Sequence, residues 1–166
     1  MTRILAIDCG TISGAAGGSP SAVPTLHTWR GNNIDGPDEF GARFDRFEEW
    51  LDDLVAIHQP DLIAFEAPLV ARGPNVATNH ATIRFLFGLA AIVEKRAHQL
   101  GIACEEVNVQ SVKLHFAGHG HAKKFEISER CRAIGWQPAN EHEADAAAVW
   151  FCAQISADPE WKPTGA

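Results

Sequence analysis

Two short aliphatic runs, each ending in a carboxylate, constrain the fold of this chain most strongly. The run ILAI leads into Asp8, and the run LIAF leads into Glu66. Continuous aliphatic runs of this length are typical of buried strands in the middle of a sheet. A charged group at the tip of such a strand is costly to leave unpaired. The two runs therefore predict neighbouring strands whose carboxylates share a cation at one edge of the sheet.

A second pair of candidate ligands lies in the segment NEHEAD, which begins at Asn140. His142 and Asp145 are three residues apart, so they share one face of a predicted helix. Asn140 is a favourable N-cap, and Glu143 completes a sequence similar to a capping box, so we assign a capping role to Glu143. Capping leaves His142 and Asp145 unexplained. Oxygen-rich ligand sets suit Mg²⁺ or Mn²⁺.

The hydrophobic periodicity predicts three strands, a helix, a strand, a helix, a strand and three more helices. This order resembles the ribonuclease H-like fold, an α/β architecture with a mixed five-stranded sheet and helices on both faces. Residues 1–157 are predicted to form a single nuclease domain of this kind, and residues 158–166 a flexible C-terminal tail. The predicted strands cover residues 3–8, 13–18, 24–30, 62–65 and 102–109, and the predicted helices cover 37–58, 82–100, 110–116, 123–134 and 141–156.

Small side chains dominate the second predicted strand, Ser13-Gly-Ala-Ala-Gly-Gly18. Such residues permit the close approach of another backbone. Because three predicted strands follow one another closely at the start of the chain, an antiparallel meander is favoured. The final helix is then expected to pack across the sheet and bring its first turn toward Asp8.

Basic and imidazole side chains are concentrated around the glycine-containing loop GHGH, although the formal net charge of the chain is −7. Glycines let the backbone approach phosphate, and lysines supply charge. The histidine spacing matches no standard zinc site, so we interpret these histidines as polar loop residues or phosphate contacts. The candidate DNA-binding residues are Arg72, Lys113, His119, His121, Lys123 and Lys124.

Composition predicts a cytoplasmic protein. No apolar stretch is long enough to span a bilayer, and the N-terminus lacks the pattern of a signal peptide. The four cysteines form no CxxC pair, so we expect buried, reduced thiols rather than a zinc or redox motif.

Asp8 has two alternative interpretations. Asp-x-Gly-Thr after an apolar strand resembles the phosphate-binding loop of the actin and sugar-kinase ATPases, but those proteins need two lobes and this chain is too short for both. An Asp can also open a turn by bonding the following backbone.

Six segments together resemble the RuvC-type Holliday junction resolvases, from about Ile4 to Trp150. Cys9 stands where most members have proline, and the residues after Glu66 lack an aromatic side chain found in many members. These departures indicate a divergent member, of cellular or phage origin. The segments are Asp8-Cys-Gly10 with Gly14, Ala64-Phe-Glu66, residues 88–94, Val112-Lys113, residues 118–124, and His142-Glu-Ala-Asp145-Ala.

The resemblance implies a crossover junction endodeoxyribonuclease: a dimeric, metal-dependent enzyme that nicks two strands of a four-way DNA junction. It implies two Mg²⁺ or Mn²⁺ ions per site, about 3.5–4 Å apart. His142 would bind metal or act as general base. The metal ligands carried over by position are Asp8, Glu66, His142 and Asp145, and the catalytic set adds Lys113 and Lys124 near the cleaved phosphate.

Two other functions remain compatible with the same residues. A ribonuclease H-like nuclease could act instead on flaps, other branched intermediates or RNA–DNA hybrids. A non-catalytic member of the fold could bind DNA or a protein partner. None of the three functions involves a membrane. For the resolvase, the expected partner is branched DNA, and the enzyme is expected to bind it as a homodimer.

Overall fold

The structure, a computed structural model, describes residues 2–31, 39–68 and 80–164. Five strands and five helices follow in the order predicted from sequence. The strands are β1 (Ile4–Asp8), β2 (Ile12–Gly18), β3 (Thr25–Arg30), β4 (Leu62–Glu66) and β5 (Ala103–Val107), and the helices are α1 (Glu39–His58), α2 (His80–Leu100), α3 (Val109–Ala117), α4 (Lys124–Ala133) and α5 (Glu141–Ala157).

The strands form one mixed sheet in the order β3-β2-β1-β4-β5. The first three strands pair antiparallel, as the meander prediction requires. The pairs β1–β4 and β4–β5 are parallel. β1 therefore occupies the centre of the sheet, and its carboxyl end lies beside the carboxyl end of β4.

Alternate residues of β1 face two separate hydrophobic cores. Leu5 and Ile7 pack with the apolar residues of α1 and α2, among them Phe47 and Phe85. Ile4 and Ala6 pack on the other face with Trp136, which precedes α5, and with apolar side chains of α3, α4 and α5 such as Trp150. The alternation follows from the two-residue period of a strand. The predicted arrangement of helices on both faces is confirmed.

Two expectations, one about β5 and one about the cysteines, need correction. β5 ends at Val107 rather than 109, because the Asn108 side chain accepts hydrogen bonds from the backbone of Gln110 and Ser111 and begins α3 there. Cys104 is exposed on the edge strand, whereas Cys131 is buried as expected.

The segment after α5, for which we predict a flexible tail, contacts the domain through Trp161. The Trp161 indole donates a hydrogen bond to the Pro20 carbonyl at 2.7 Å and packs edge-on against Trp150 and Phe151. These contacts place the Trp161 ring on the α5 side of the sheet. Within the described ranges, no helix combines the length and the apolar character needed to cross a membrane.

Candidate active site

Asp8 and Glu66 lie at the same edge of the sheet. Ile7 pairs with Phe65 in the parallel β1–β4 ladder, so the next residue on each strand is a carboxylate. Each side chain is partly buried at the strand end. The sheet register therefore produces the arrangement that the two apolar runs predict.

Gly14 brings the first turn of α5 to this edge. It is the antiparallel partner of Asp8, and a Cβ atom at Gly14 would overlap the carbonyl oxygen of His142. Only a residue without a side chain permits this contact between strand and helix. The expected close approach of a backbone to β2 is thus present, and it places His142 next to Asp8.

A polar network fixes the start of α5 against β3. The Asn140 side chain accepts hydrogen bonds from the backbone of His142 and Glu143, as predicted for an N-cap. Its amide donates to the Thr28 hydroxyl at 2.8 Å, and Thr28 in turn donates to Glu143 at 2.6 Å. Thr28 lies opposite Gly14 in the β2–β3 ladder. Sequence reasoning missed Thr28, because only this register reveals its position.

Glu143 corrects the capping-box interpretation. Its second oxygen accepts a hydrogen bond from the backbone of Ala139, one residue before the N-cap, and not from Asn140. With its first oxygen on Thr28, this buried carboxylate has a partner on each side. Glu143 is therefore a positioning residue that faces β3 and does not point toward Asp8.

His142 lies between two carboxylates. Its Nδ1 is 3.6 Å from Asp8 Oδ2, and its Nε2 is 3.7 Å from Glu141 Oε1. The imidazole is 22% exposed and the Asp8 side chain 17%, so both groups remain accessible to a ligand. At these distances, His142 is placed either to share a ligand with Asp8 or to exchange a proton with it.

A pocket of about 160 Å³ joins Glu66, Asp145 and two lysines. Lys113 and Lys124 line it together with the two carboxylates, and its remaining walls are apolar side chains of α3, α4 and α5, such as Val112. Apolar walls weaken solvation of ionised groups. Burial, followed by the charges of Asp8 and Asp145, raises the pKa of Glu66 to about 8.

Burial and neighbouring charges also shift the pKa of Asp145. Burial, and then the negative charge of Asp8, raises its pKa to about 6. Its partner is Lys124, whose Nζ lies 3.7 Å from Asp145 Oδ2 and 3.3 Å from Glu141 Oε1. Although burial opposes it, these acids raise the pKa of Lys124. Asp145 therefore has a cationic partner in Lys124.

The carboxylates of Asp8, Glu66 and Asp145 are chemically suited to a hard divalent cation. Their oxygen atoms do not, however, converge on one point. Across residues 2–31, 39–68 and 80–164, no three His, Cys, Asp or Glu side chains are grouped closely enough to hold a metal ion together. The negative charges of Asp8, Glu66 and Asp145 repel one another, and the ammonium of Lys124 offsets part of this repulsion. A divalent cation would relieve the repulsion that raises the pKa values of Glu66 and Asp145.

Two of the predicted DNA-binding residues also line a second cavity. His121 and Lys113 line an adjoining cavity of about 480 Å³. His119 lies 3.3 Å from Glu126, whose other oxygen accepts a hydrogen bond from the Lys123 backbone at the start of α4. Arg72 lies outside the described residues. Cys9 follows Asp8, but burial and the Asp8 charge raise the pKa of its thiol, so it is a poor nucleophile.

Solved structures define the class of this domain. The Thermus thermophilus RuvC in complex with a Holliday junction substrate is 23% identical, with a TM-score of 0.73 and coverage of 95% of both chains. The yeast mitochondrial Holliday junction resolvase is 12% identical, with a TM-score of 0.66, and the match covers 95% of this chain and 81% of that one. These similarities identify the fold as the ribonuclease H-like architecture of the resolvases.

Curated relatives identify the family. The crossover junction endodeoxyribonuclease RuvC of Halorhodospira halophila is 32% identical over 92% of this chain and 89% of its own length. The RuvC of Geobacter metallireducens is 28% identical over 93% of both chains. No family model matches the sequence. The chain belongs to the RuvC family of crossover junction endodeoxyribonucleases, which confirms the resemblance drawn from its motifs.

Proposed function

We propose that this protein is a metal-dependent endonuclease that hydrolyses phosphodiesters in branched DNA and resolves four-way junctions by paired nicks. Family membership supports the reaction, and the similar RuvC of Thermus thermophilus is seen in complex with a Holliday junction as its substrate. One observation supports the assignment of this reaction to the candidate active site. Asp8, Glu66 and Asp145 act on one another electrostatically beside a pocket that Lys113 and Lys124 also line.

The residues that would hold the cations are Asp8, Glu66, His142 and Asp145. The three carboxylates match the preference of Mg²⁺ and Mn²⁺ for oxygen ligands, and the His142 imidazole would add one nitrogen ligand. We propose two such ions per site, which when bound activate the attacking water and stabilise the leaving oxygen.

The two lysines act on the phosphate. Lys124 is held by Asp145 and Glu141, and a phosphodiester entering the pocket offers it a third anionic partner. Lys113 approaches the pocket from α3. Together they offset the charge that develops on the phosphate in the transition state. His142 either completes the ligand set or accepts a proton, since its Nδ1 faces Asp8 and its Nε2 faces Glu141.

We further propose that the enzyme works as a homodimer in the cytoplasm. Paired nicks on a symmetric junction require two active sites related by a two-fold axis. Four free cysteines, one of them exposed, suit a reducing compartment. Light scattering on the purified protein tests the dimer directly, because a monomer at micromolar concentration would exclude paired nicking by a preformed assembly.

Asp8→Asn tests the catalytic scheme, because it preserves shape and removes charge. The wild type should nick a labelled four-way junction symmetrically with Mg²⁺ or Mn²⁺, and the variant should lose this activity while still binding the junction in Ca²⁺ or EDTA. Cleavage by the variant near the wild-type rate would reject the scheme. Preferential cleavage of a flap or an RNA–DNA hybrid by the wild type would assign it to another substrate, and the absence of both cleavage and metal binding would indicate a non-catalytic module.

A further inference from the structure

The outer face of α4 combines an aromatic ring with polar groups at helical spacing. Phe125 is 59% exposed, while Ile127 and Cys131 on the opposite face are buried in the core. Ser128 and Arg132 follow Phe125 by three and seven residues, so they share its face of the helix. A single exposed phenylalanine is common on protein surfaces. Phe125, however, lies beside the candidate active site, where bound DNA would come within its reach.

This face is continuous with the acidic pocket through Lys124. The Lys124 ammonium reaches Asp145 in the pocket, and the same side chain lines a surface groove of about 370 Å³. The other groove residues are Phe125, Ser128, Glu129, Arg132 and Glu141. A DNA strand whose phosphate lies at Lys124 therefore has its neighbouring nucleotide at the mouth of this groove.

We propose that the groove is a nucleobase subsite, in which an unstacked base next to the cleaved phosphate stacks on the Phe125 ring. This inference rests on the proposed function. Bases at a branch point are less constrained by stacking than bases within a duplex, and an exposed aromatic ring stacks on any of them.

The groove has no excess of positive charge, because the acids Glu129 and Glu141 offset the bases Lys124 and Arg132, so it suits a neutral base better than a phosphate. Glu129 and Glu141 would repel a phosphate, but a carboxylate accepts hydrogen bonds from the exocyclic amino group of a base. The Arg132 guanidinium offers a second planar surface, and the Ser128 hydroxyl donates or accepts. The subsite therefore fits an amino-bearing base with its phosphate directed back toward Lys124.

Phe125→Ala tests the subsite when compared with Phe125→Trp, Phe125→Leu and the control Ile57→Ala. Ile57 is 61% exposed on α1, so its truncation removes a similarly exposed apolar side chain elsewhere. Binding to a fluorescent four-way junction is measured in Ca²⁺. We expect Phe125→Ala to bind about 5- to 100-fold more weakly, the range for loss of one stacked base. Phe125→Trp should match the wild type, Phe125→Leu should bind weakly, and Ile57→Ala should be unchanged.

Junctions with single abasic nucleotides identify the stacked base. At one position beside the nick, removing the base should weaken junction binding by the wild type as much as Phe125→Ala does. The same base removal should cause no further loss of binding by Phe125→Ala. The subsite would be overturned if Phe125→Ala bound the junction as tightly as the wild type. It would also be overturned if, at every abasic position, the effects of the variant and of base removal on affinity were independent. If the wild type nicks junctions symmetrically but the subsite test is negative, the subsite is rejected and the proposed function is retained. A wild type that nicks no DNA with Mg²⁺ or Mn²⁺ overturns both.

Discussion

Gly14 and His142 are in direct backbone contact, so a strand residue with no side chain sets the position of a candidate ligand on the last helix. We expect Gly14→Ala to push the first turn of α5 away from β2 and to separate His142 from Asp8. Nicking of a junction should fall at least about 100-fold, as for other small displacements of reacting groups. Single-turnover cleavage measures the effect.

Gly101→Ala is the control for the fold. An added Cβ at Gly101 meets nothing, although its positive φ makes the substitution mildly strained, so it tests a glycine replacement remote from the site. If Gly101→Ala retains activity while Gly14→Ala loses it at a similar melting temperature, the contact with His142 is responsible. Full activity of Gly14→Ala would show that α5 need not lie so close to β2.

Thr28→Val should destabilise the start of α5. The substitution keeps the shape of the side chain but removes the donor to Glu143 and the acceptor for Asn140. We expect the free energy of unfolding to fall by about 1–3 kcal/mol, since a partly buried carboxylate loses a partner. Urea denaturation gives the value. Thr25→Val, at an exposed position of the same strand, should stay within about 0.5 kcal/mol of the wild type.

The fold was predictable from sequence because apolar runs and turn residues mark each element locally. The gathering of Asp8, Glu66, His142 and Asp145 at one edge of the sheet was also predictable, since carboxylates at strand tips and a polar pair beside Ala-Ala-Ala-Val-Trp conflict with local burial. Their role as metal ligands stays a prediction. Thr28 was not predictable, because its role depends on a register between β2 and β3 that no local pattern encodes. Neither was the anchoring of Trp161, whose partners Pro20 and Trp150 are distant in sequence.

Glu66→Gln should stabilise the metal-free protein at alkaline pH. The folded-state pKa of Glu66, about 8, lies above its ordinary 4.5, so the protonated form favours folding below pH 4.5 and this contribution is lost as pH rises to 8. In EDTA at pH 8, we expect the variant to be about 1–3 kcal/mol more stable, after allowance for solvent screening. Denaturant melts between pH 5 and 8 measure it.

The exposed Glu49→Gln is the matched control, because it makes the same substitution on the surface of α1, and its stability should stay within about 0.5 kcal/mol of the wild type. Parallel stability curves for wild type and Glu66→Gln would contradict the raised pKa.

Metal affinity should increase with pH between about 6 and 8, the range set by the raised pKa values of Asp145 and Glu66. Calorimetry with Mn²⁺ should show proton release on binding, detected as a dependence of the measured heat on the buffer. Glu66→Gln should bind more weakly and release fewer protons. Affinity independent of pH across this range would indicate that the cation binds away from these carboxylates.

His27 and His58 predict an opposite pH dependence of stability. Their Nε2 atoms are 2.9 Å apart, and burial lowers both pKa values below the ordinary 6.5, with the charge of His27 further lowering that of His58. Stability from the neutral pair is therefore present above pH 6.5 and lost as pH falls below it. His58→Gln should lose less stability than the wild type between pH 7 and 5. Identical slopes in denaturant melts would exclude a role for the pair.

Lys124→Met should separate chemistry from binding. Lys124 contacts Asp145 and Glu141 in the pocket, so its loss removes positive charge from the cleaved phosphate, and we expect nicking to slow by about 100- to 1000-fold. The pH profile should also move upward, because Asp145 loses the cation that lowers its pKa. Lys123→Met, one residue earlier at an exposed position, should instead weaken junction binding and reduce its salt dependence by about one counterion. If both variants lost only binding, Lys124 would be a DNA contact with no part in the reaction.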